Sequence, residues 1–260
     1  MTPTQDYIEK CRHIADIVAK QEPLILKAAQ WFSKTILAGR MVHMFASGHS
    51  RILVEEMWPR YGSFPGFNPI VELSLTFHHP VVGSNGQRQA MFLENTTGFA
   101  ARILRNFDVS PDDCAIVVSS SGCNIVPVEM AELFQERKVK VVAIVTKQHA
   151  EKSKSKRGDG KKLGDFADLM LDTGAPVGDA MVHIDGLDTP VAPGSSIGGI
   201  LIINTLKAEL AKLLTDAGHP PKVLTAAVIA GEKRAAELFE SAYDEHAHRL
   251  ARLFENIGRK

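Results

Sequence analysis

Residues 114–124 read Cys-Ala-Ile-Val-Val-Ser-Ser-Ser-Gly-Cys-Asn, an unbroken apolar run followed at once by a Ser/Gly-rich turn. The apolar run has the length and composition of a strand that is buried on both faces. The turn leads into residues 126–136, whose apolar residues recur at the spacing of an amphipathic helix. This segment is therefore predicted to form a strand, a tight loop and a helix, the repeating unit of a parallel α/β sheet.

The same order of elements recurs on both sides of this unit. A short apolar run at 41–46 precedes Ser47-Gly48-His49-Ser50 and a helical segment, and further strand-like runs lie at 70–75, 139–145 and 166–172. Strands that alternate with helices predict a parallel sheet with helices on both faces. We therefore expect an α/β fold, a three-layer α/β/α sandwich around a mainly parallel five-stranded sheet.

Helical segments flank the predicted sheet at both ends. Apolar residues at helical spacing predict a helical pair over 6–38, a helix over 87–106, an apolar helix over 195–217 and a long charged helix from Gly231 onward. One structural unit is expected, divided into an N-terminal helical extension (1–40), an α/β domain (41–221) and a C-terminal helix (222–260).

Composition excludes several classes of partner. The 30 basic and 30 acidic side chains cancel, whereas a protein that binds nucleic acid or acidic lipid is expected to be basic. Cys11, Cys114 and Cys123 have no metal-ligand spacing, which favours a reducing compartment and no structural metal. The longest apolar stretch, 197–206, is too short to span a bilayer, and the first residues do not resemble a secretory signal. These features predict a cytoplasmic protein without nucleic-acid or membrane partners.

Both Ser/Gly-rich loops are predicted to lie at the carboxyl edge of the sheet, where open parallel sheets bind their ligands. The loop at 119–124 offers three hydroxyls, an amide side chain and a glycine that permits a tight turn. Neither loop carries Gly-Lys-Ser/Thr or G-x-G-x-x-G, so a small phosphate ester is favoured over a nucleotide. One such turn alone could be a helix cap, but two at neighbouring strand ends predict an anion site.

The stretch 118–124, Val-Ser-Ser-Ser-Gly-Cys-Asn, resembles the S-x-S-G-x-T/N phosphate loop of SIS (sugar isomerase) domains. The resemblance extends from about residue 41 to 221, and is strongest to a bacterial branch labelled phosphoheptose-isomerase-like, whose activity it does not specify. Its further marks are Ser47–Ser50, Glu94 with Gly98-Phe99-Ala100, the stretch 174–180 and Pro193–Ser196. Ser120 and Cys123 depart from the Asn and Arg expected in that branch.

The resemblance implies a phosphorylated sugar as ligand, no cofactor, and aldose-ketose isomerisation through an enediolate. Cys123 is expected to influence which sugar fits. The residues implied to hold or surround the phosphate are Ser119, Ser121, Asn124, Ser47, Ser50, Ser195 and Ser196.

Isomerisation requires a base that is ionisable near neutral pH. Glu94 and Glu56 are the favoured candidates, ahead of Glu129 and Glu72, although each could instead be a solvated helix carboxylate. The resemblance also implies a histidine that assists opening of the sugar ring. His49 is the favoured candidate for this role, because it lies inside the first Ser/Gly-rich loop.

Several alternatives remain open on the sequence. The same base could serve a phosphosugar lyase, etherase or deglycase, and SIS domains also act as non-catalytic sensors or regulatory subunits. SIS proteins commonly assemble, so a homodimer or homotetramer is expected.

The basic run at 152–162 is interpreted as a solvated loop, with closure over the substrate as the alternative. His78 and His79, adjacent in an extended segment, would point apart and make poor co-ligands for one metal.

Overall fold

A computed structural model describes residues 1–76 and 86–257, and the predicted loop that contains His78 and His79 lies outside these ranges. The strands of the main sheet are β1 (Val42–Ala46), β2 (Phe67–Ile70), β3 (Cys114–Val118), β4 (Lys140–Val145) and β5 (Leu169–Asp172). They are arranged in the order β2-β1-β3-β4-β5, and every neighbouring pair is parallel. The predicted parallel five-stranded sheet is confirmed.

Helices precede, separate and follow these strands. They are α1 (Pro3–Ala19), α2 (Glu22–Leu37), α3 (Ile52–Met57), α4 (Leu73–Thr76), α5 (Gln87–Leu93), α6 (Phe99–Leu104), α7 (Ile125–Glu136), α8 (Lys147–Lys152), α9 (Ser195–Asp216), α10 (Ala227–Ala230) and α11 (Glu232–Arg252). An antiparallel hairpin, β6 (Ala180–Val182) with β7 (Val191–Pro193), precedes α9. Within the described ranges, no helix combines the length and the apolar character needed to cross a membrane.

Two apolar cores lie on opposite faces of the sheet. Met44 and Ile116 point toward a core shared with α2, α3 and α9, whereas Phe45 and Val117 point toward a core shared with α6 and α7. Successive side chains of a strand face opposite sides, so strands covered on both faces are apolar throughout. This explains the continuous apolar runs and confirms the α/β/α sandwich.

One predicted strand was misplaced. The strand expected at 70–75 lies at Phe67–Ile70, and residues 73–76 form a short helix. Pro69 lies inside β2. A proline is tolerated there because β2 is an edge strand, paired with β1 and with no other strand.

Two further elements differ from prediction. The helix expected over 87–106 is two helices, α5 and α6, separated at Gly98, whose φ of +81° is a left-handed conformation that favours glycine. The hairpin of β6 and β7 was not predicted, because its three-residue strands are too short to show a clear alternation.

The order of the strands fixes where a ligand can bind. After β1 the chain moves outward to β2, then returns to the other side of β1 to form β3. A crevice opens at such a reversal, beyond the carboxyl ends of the two inner strands. The loops that follow β1 and β3 are the two Ser/Gly-rich segments of the sequence.

Candidate functional site

A cavity of about 360 Å³ opens in this crevice. Its walls come from the loops after β1 and β3, from α5, and from the start of α9. The predicted site residues that line it are Ser47, His49, Ser50, Glu94, Ser119, Ser121, Asn124, Ser195 and Ser196. The candidates that lie outside its lining are Glu56, Cys123, Glu129 and Glu72.

Glu94 connects the two loops. It follows the last residue of α5, and its backbone carbonyl accepts a hydrogen bond from the Val126 amide at 2.8 Å. Its carboxylate accepts one from Ser47 Oγ and one from Asn124 Nδ2, both at 2.7 Å. Burial raises the pKa of Glu94 above its ordinary value, and the Ser47 hydrogen bond and the charge of Lys156 offset part of that rise.

Ser47 and Asn124 therefore have a partner that the sequence did not indicate. Both were predicted to contact phosphate, and in this structure both donate to Glu94. Their contact with phosphate stays a prediction. The geometry itself identifies them as the side chains that orient the Glu94 carboxylate.

The loop after β3 is shaped by its own hydrogen bonds. The Gly122 amide donates to Ser119, reaching the backbone carbonyl at 3.1 Å and Oγ at 3.2 Å. Asn124 is the N-cap residue of α7 but makes no side-chain cap bond. Of the first three residues of α7, Val126 donates its amide to the Glu94 carbonyl and Pro127 has no N–H, which leaves the Ile125 amide as a first-turn donor to an anion in the cavity.

Cys123 is a buried residue of this loop. Its buried thiol contacts Ser121 Oγ at 3.1 Å, and its backbone carbonyl accepts from the Lys156 amide at 3.0 Å. Cys123 can therefore affect a ligand through the position of Ser121. The same contact places part of the basic run at 152–162 against the loop, while the Lys156 side chain is exposed.

A row of hydroxyls along the carboxyl edge of the sheet was missed by the sequence reasoning. Ser120 Oγ lies 2.9 Å from Thr146 Oγ1, which lies 2.8 Å from Thr173 Oγ1. Thr146 and Thr173 each follow their strand directly, as Ser119 follows β3. That shared position was the available signal, but a single threonine after a strand is also an ordinary turn residue.

The start of α9 is capped by Asp179, another residue that the sequence reasoning did not select. Asp179 accepts from the Ser195 amide at 2.6 Å, from Ser195 Oγ at 2.8 Å and from the Gly194 amide at 3.1 Å. The predicted phosphate contact of Ser195 stays a prediction, and its hydroxyl here donates to Asp179. Ser196, the next residue, is half-buried in the cavity wall.

Two histidines line the cavity in different ways. His49 lies in the 3-10 turn after β1 and is exposed. His149, in α8, is half-buried, and its Nδ1 accepts the Gly178 amide at 3.1 Å. His149 was not selected from the sequence, because it begins a polar, basic stretch without apolar periodicity.

The other carboxylates are engaged elsewhere. Glu56 accepts from Arg60 at 2.6 Å and from Asn204 at 2.8 Å. Burial raises its pKa, but these hydrogen bonds outweigh burial, so the pKa lies below its ordinary value. Both oxygens of Glu129 accept the Gly98 amide, at 3.0 and 2.9 Å. Across the described ranges, no group of three or more His, Cys, Asp or Glu side chains could hold a metal ion.

Comparison with known proteins shows which family this chain resembles. A family model of the SIS domain matches residues 6–146, a range that contains both Ser/Gly-rich loops and Glu94. A UPF0309 protein of Halalkalibacterium halodurans is 30% identical, over 94% of this chain and 96% of the relative. A UPF0309 protein of Listeria monocytogenes is 29% identical, over 95% of this chain and 96% of the relative.

Solved structures with a similar arrangement include phosphoheptose isomerase GmhA from Neisseria gonorrhoeae. It has 15% sequence identity and a TM-score of 0.49, covering 80% of this chain and 96% of that chain. The NanR protein of Vibrio vulnificus complexed with ManNAc-6P has 14% identity and a TM-score of 0.44, covering 90% of this chain and 67% of that chain.

Proposed function

Because this chain belongs to the SIS-domain family, we propose that it binds a phosphorylated sugar between the loops after β1 and β3 and interconverts its aldose and ketose forms. Glu94 is the base. The observation that carries the proposal is the half-buried Glu94 carboxylate, which Ser47 and Asn124 hold at the cavity wall by hydrogen bonds of 2.7 Å.

The phosphate binds to the loop after β3. Ser119 and Ser121 line the cavity there, and the start of α7 adds the Ile125 amide and the positive end of the helix dipole. Ser50 and Ser196 line other parts of the same cavity and contact the remaining oxygens. Ser47 and Asn124 orient the Glu94 carboxylate.

Isomerisation then needs a proton moved between two neighbouring carbons. Glu94 removes the proton from the carbon beside the carbonyl, and returns it to the former carbonyl carbon after the enediolate has formed. A base works best when its pKa lies near the working pH, and burial moves the pKa of Glu94 in that direction. The two hydrogen bonds fix the carboxylate before the substrate arrives, which reduces the cost of orienting it.

A thermal-shift screen tests binding first. The purified protein is melted with 6-phosphates of heptoses, hexoses, hexosamines and N-acetylmuramic acid and with pentose 5-phosphates, each beside its free sugar. Ligand at ~100 times its dissociation constant stabilises the folded state by roughly 2.7 kcal/mol, which is visible as a rise in melting temperature. A rise with a phosphate ester, and none with its free sugar, is expected.

Turnover of the selected ester is then measured with the unaltered protein, Glu94→Gln and the control Glu55→Gln. Glu55 lies on α3, is exposed and pairs with Arg51 at 2.8 Å. Glu94→Gln should bind the ester and lose isomerisation, while Glu55→Gln should retain it. Release of a 3-substituent would identify a lyase or etherase with the same base, and release of an amine from a sugar-amine adduct would identify a deglycase. Binding without turnover would identify a sensor, and a screen without any shift would refute the proposal.

A further inference from the structure

His149 has the features of a second catalytic group. It lines the same cavity as Glu94, from α8, the helix that follows β4. Its ring is anchored because Nδ1 accepts the Gly178 amide at 3.1 Å. Gly178 in turn lies in a tight turn, in which the Asp179 amide donates to the Pro176 carbonyl at 3.0 Å.

This anchor determines where the ring carries its proton. A neutral imidazole has one donor and one acceptor nitrogen, and the hydrogen bond at one nitrogen sets the tautomer. Since Nδ1 accepts from a backbone amide, the proton of neutral His149 lies on Nε2. Within residues 1–76 and 86–257, Nε2 makes no hydrogen bond, so its N–H is available to a ligand in the cavity.

Enediolate formation places negative charge on the carbonyl oxygen, and this charge needs a donor. No lysine or arginine of the described chain lines the cavity, and a serine hydroxyl is a weak acid. His49 also lines the cavity but is exposed. A neutral imidazole whose N–H points at a carbonyl oxygen is an established kind of electrophile in aldose-ketose isomerisation.

We propose that His149 is the catalytic electrophile of the reaction, a role that rests on the proposed function. As Glu94 takes the proton from the carbon, that C–H electron pair forms the carbon–carbon double bond and the carbonyl π pair moves onto its oxygen. Nε2 passes its proton to that oxygen and recovers one from the neighbouring hydroxyl. The carbonyl forms there, and Glu94 returns its proton to the other carbon, so both side chains are restored.

Two substitutions separate this role from a structural one. In His149→Asn, the amide oxygen can still accept from Gly178, but the donor at the Nε2 position is lost. In His149→Gln, the longer side chain brings an amide N–H nearer to that position. His183→Asn is the control, because His183 is exposed in the loop after β6 and lies outside the cavity lining.

The measured quantities are kcat and the dissociation constant of a substrate analogue whose carbonyl is reduced to an alcohol. His149→Asn should lower kcat by about 100- to 1,000-fold, the range of a single acid–base group, and His149→Gln should recover part of the loss. Binding of the reduced analogue should change by less than about 2-fold, since the analogue forms no enediolate. His183→Asn should match the unaltered protein.

Unchanged kcat in His149→Asn would overturn the inference. An equal loss of kcat and of analogue binding in both His149 variants would also overturn it, because it would mark a structural role. If His49→Asn instead caused the large loss, the electrophile would be His49. Failure of the unaltered protein to isomerise any phosphosugar would refute the proposed function, and this role of His149 with it.

Discussion

The Ser47 hydroxyl donates to Oε2 of Glu94 at 2.7 Å and so connects the end of β1 to the end of α5. Asn124 donates to the other oxygen from the start of α7. Because these contacts meet at one carboxylate, the loops after β1 and β3 are held together by the group that we propose as the base. A ligand that moves either loop will therefore change the hydrogen bonds of Glu94.

Replacing Ser47 with Ala tests this connection through the pKa of Glu94. Burial raises that pKa and the Ser47 hydrogen bond lowers it, so the variant should have a still higher pKa. A hydrogen bond to a charged group contributes about 1.5 kcal/mol, which corresponds to about one pH unit. The rising limb of kcat/KM against pH, where Glu94 ionises, should move up by about one unit. If the rising limb of kcat/KM lay at the same pH in the variant as in the unaltered protein, the proposed role of Ser47 would be contradicted.

Glu129, on α7, holds the turn that follows Glu94. Both of its oxygens accept the Gly98 amide, and Gly98 ends the turn that begins at Glu94. Glu129→Ala should loosen this turn, lowering kcat several-fold with little change in phosphosugar binding and costing about 1 kcal/mol of stability. Steady-state kinetics and urea denaturation measure these effects. Glu136→Ala, at the exposed end of the same helix, is the control, and equal behaviour of the two variants would refute the supporting role.

Most of the fold could be predicted because the inner strands are covered on both faces. Residues 114–118 and 141–145 are uniformly apolar, and such runs can be recognised without any partner. The edge strand β2 could not be placed, because a proline such as Pro69 usually indicates a loop and is tolerated in a strand only at the edge of a sheet. Whether a strand is an edge depends on the sheet order, which the local sequence does not contain.

The candidate site was predictable in its loops and less so in its contacts. Ser/Gly-rich turns after strands line the cavity, and Glu94 lies in its wall. The sequence did not show that Ser47 and Asn124 bind Glu94, because these contacts span 47 and 30 positions. Glu56, the other favoured candidate for the base, accepts a hydrogen bond from Asn204 of α9 and lies outside the cavity lining. The predicted homodimer or homotetramer awaits light scattering in solution.

A buried network at the amino ends of β1 and β3, opposite the cavity, predicts that the stability of the fold is sensitive to acid. Asp113 accepts from Arg40 Nε and Nη2, both at 2.8 Å, and from His43 Nε2 at 3.2 Å. Burial raises the pKa of Asp113, but the hydrogen bonds from His43 and Arg40 outweigh it and hold the pKa at about 2, against 3.8 ordinarily. The lowered pKa stabilises the fold above about pH 4 by about 2 kcal/mol, and this contribution is lost as the pH falls toward 2.

Asp113→Asn removes the titrating group and should lower stability at neutral pH. The free energy of unfolding of the unaltered protein should fall more steeply between pH 4 and pH 2 than that of the variant, so that the two curves converge in acid. Urea denaturation at pH 7, 4 and 2.5 measures this difference. Parallel curves would show that Asp113 is not the source of the acid sensitivity.

Two adjacent glycines of α9 provide a matched test of how closely this helix packs against the end of β5 and against α3. A Cβ at Gly198 would collide with the backbone carbonyl of Thr173 at the end of β5, whereas a Cβ at Gly199 would meet the Leu53 side chain at 2.5 Å. A side chain can rotate away, but the backbone of a sheet cannot. Alanine is also preferred to glycine inside a helix by about 1 kcal/mol, which favours both variants equally.

Gly198→Ala should therefore destabilise the protein by roughly 3 kcal/mol, the upper range for overpacking, and Gly199→Ala should change stability by less than about 1 kcal/mol. For a chain of this size, the first loss corresponds to a fall in melting temperature of about 6 to 12 °C. Phosphosugar binding should weaken in Gly198→Ala as well, because the shift displaces Ser195 and Ser196 at the start of α9. Equal melting temperatures for the two variants would mean that α9 can move away from β5 at little cost in stability. The position of Ser195 and Ser196 in the cavity wall would then not depend on this close contact.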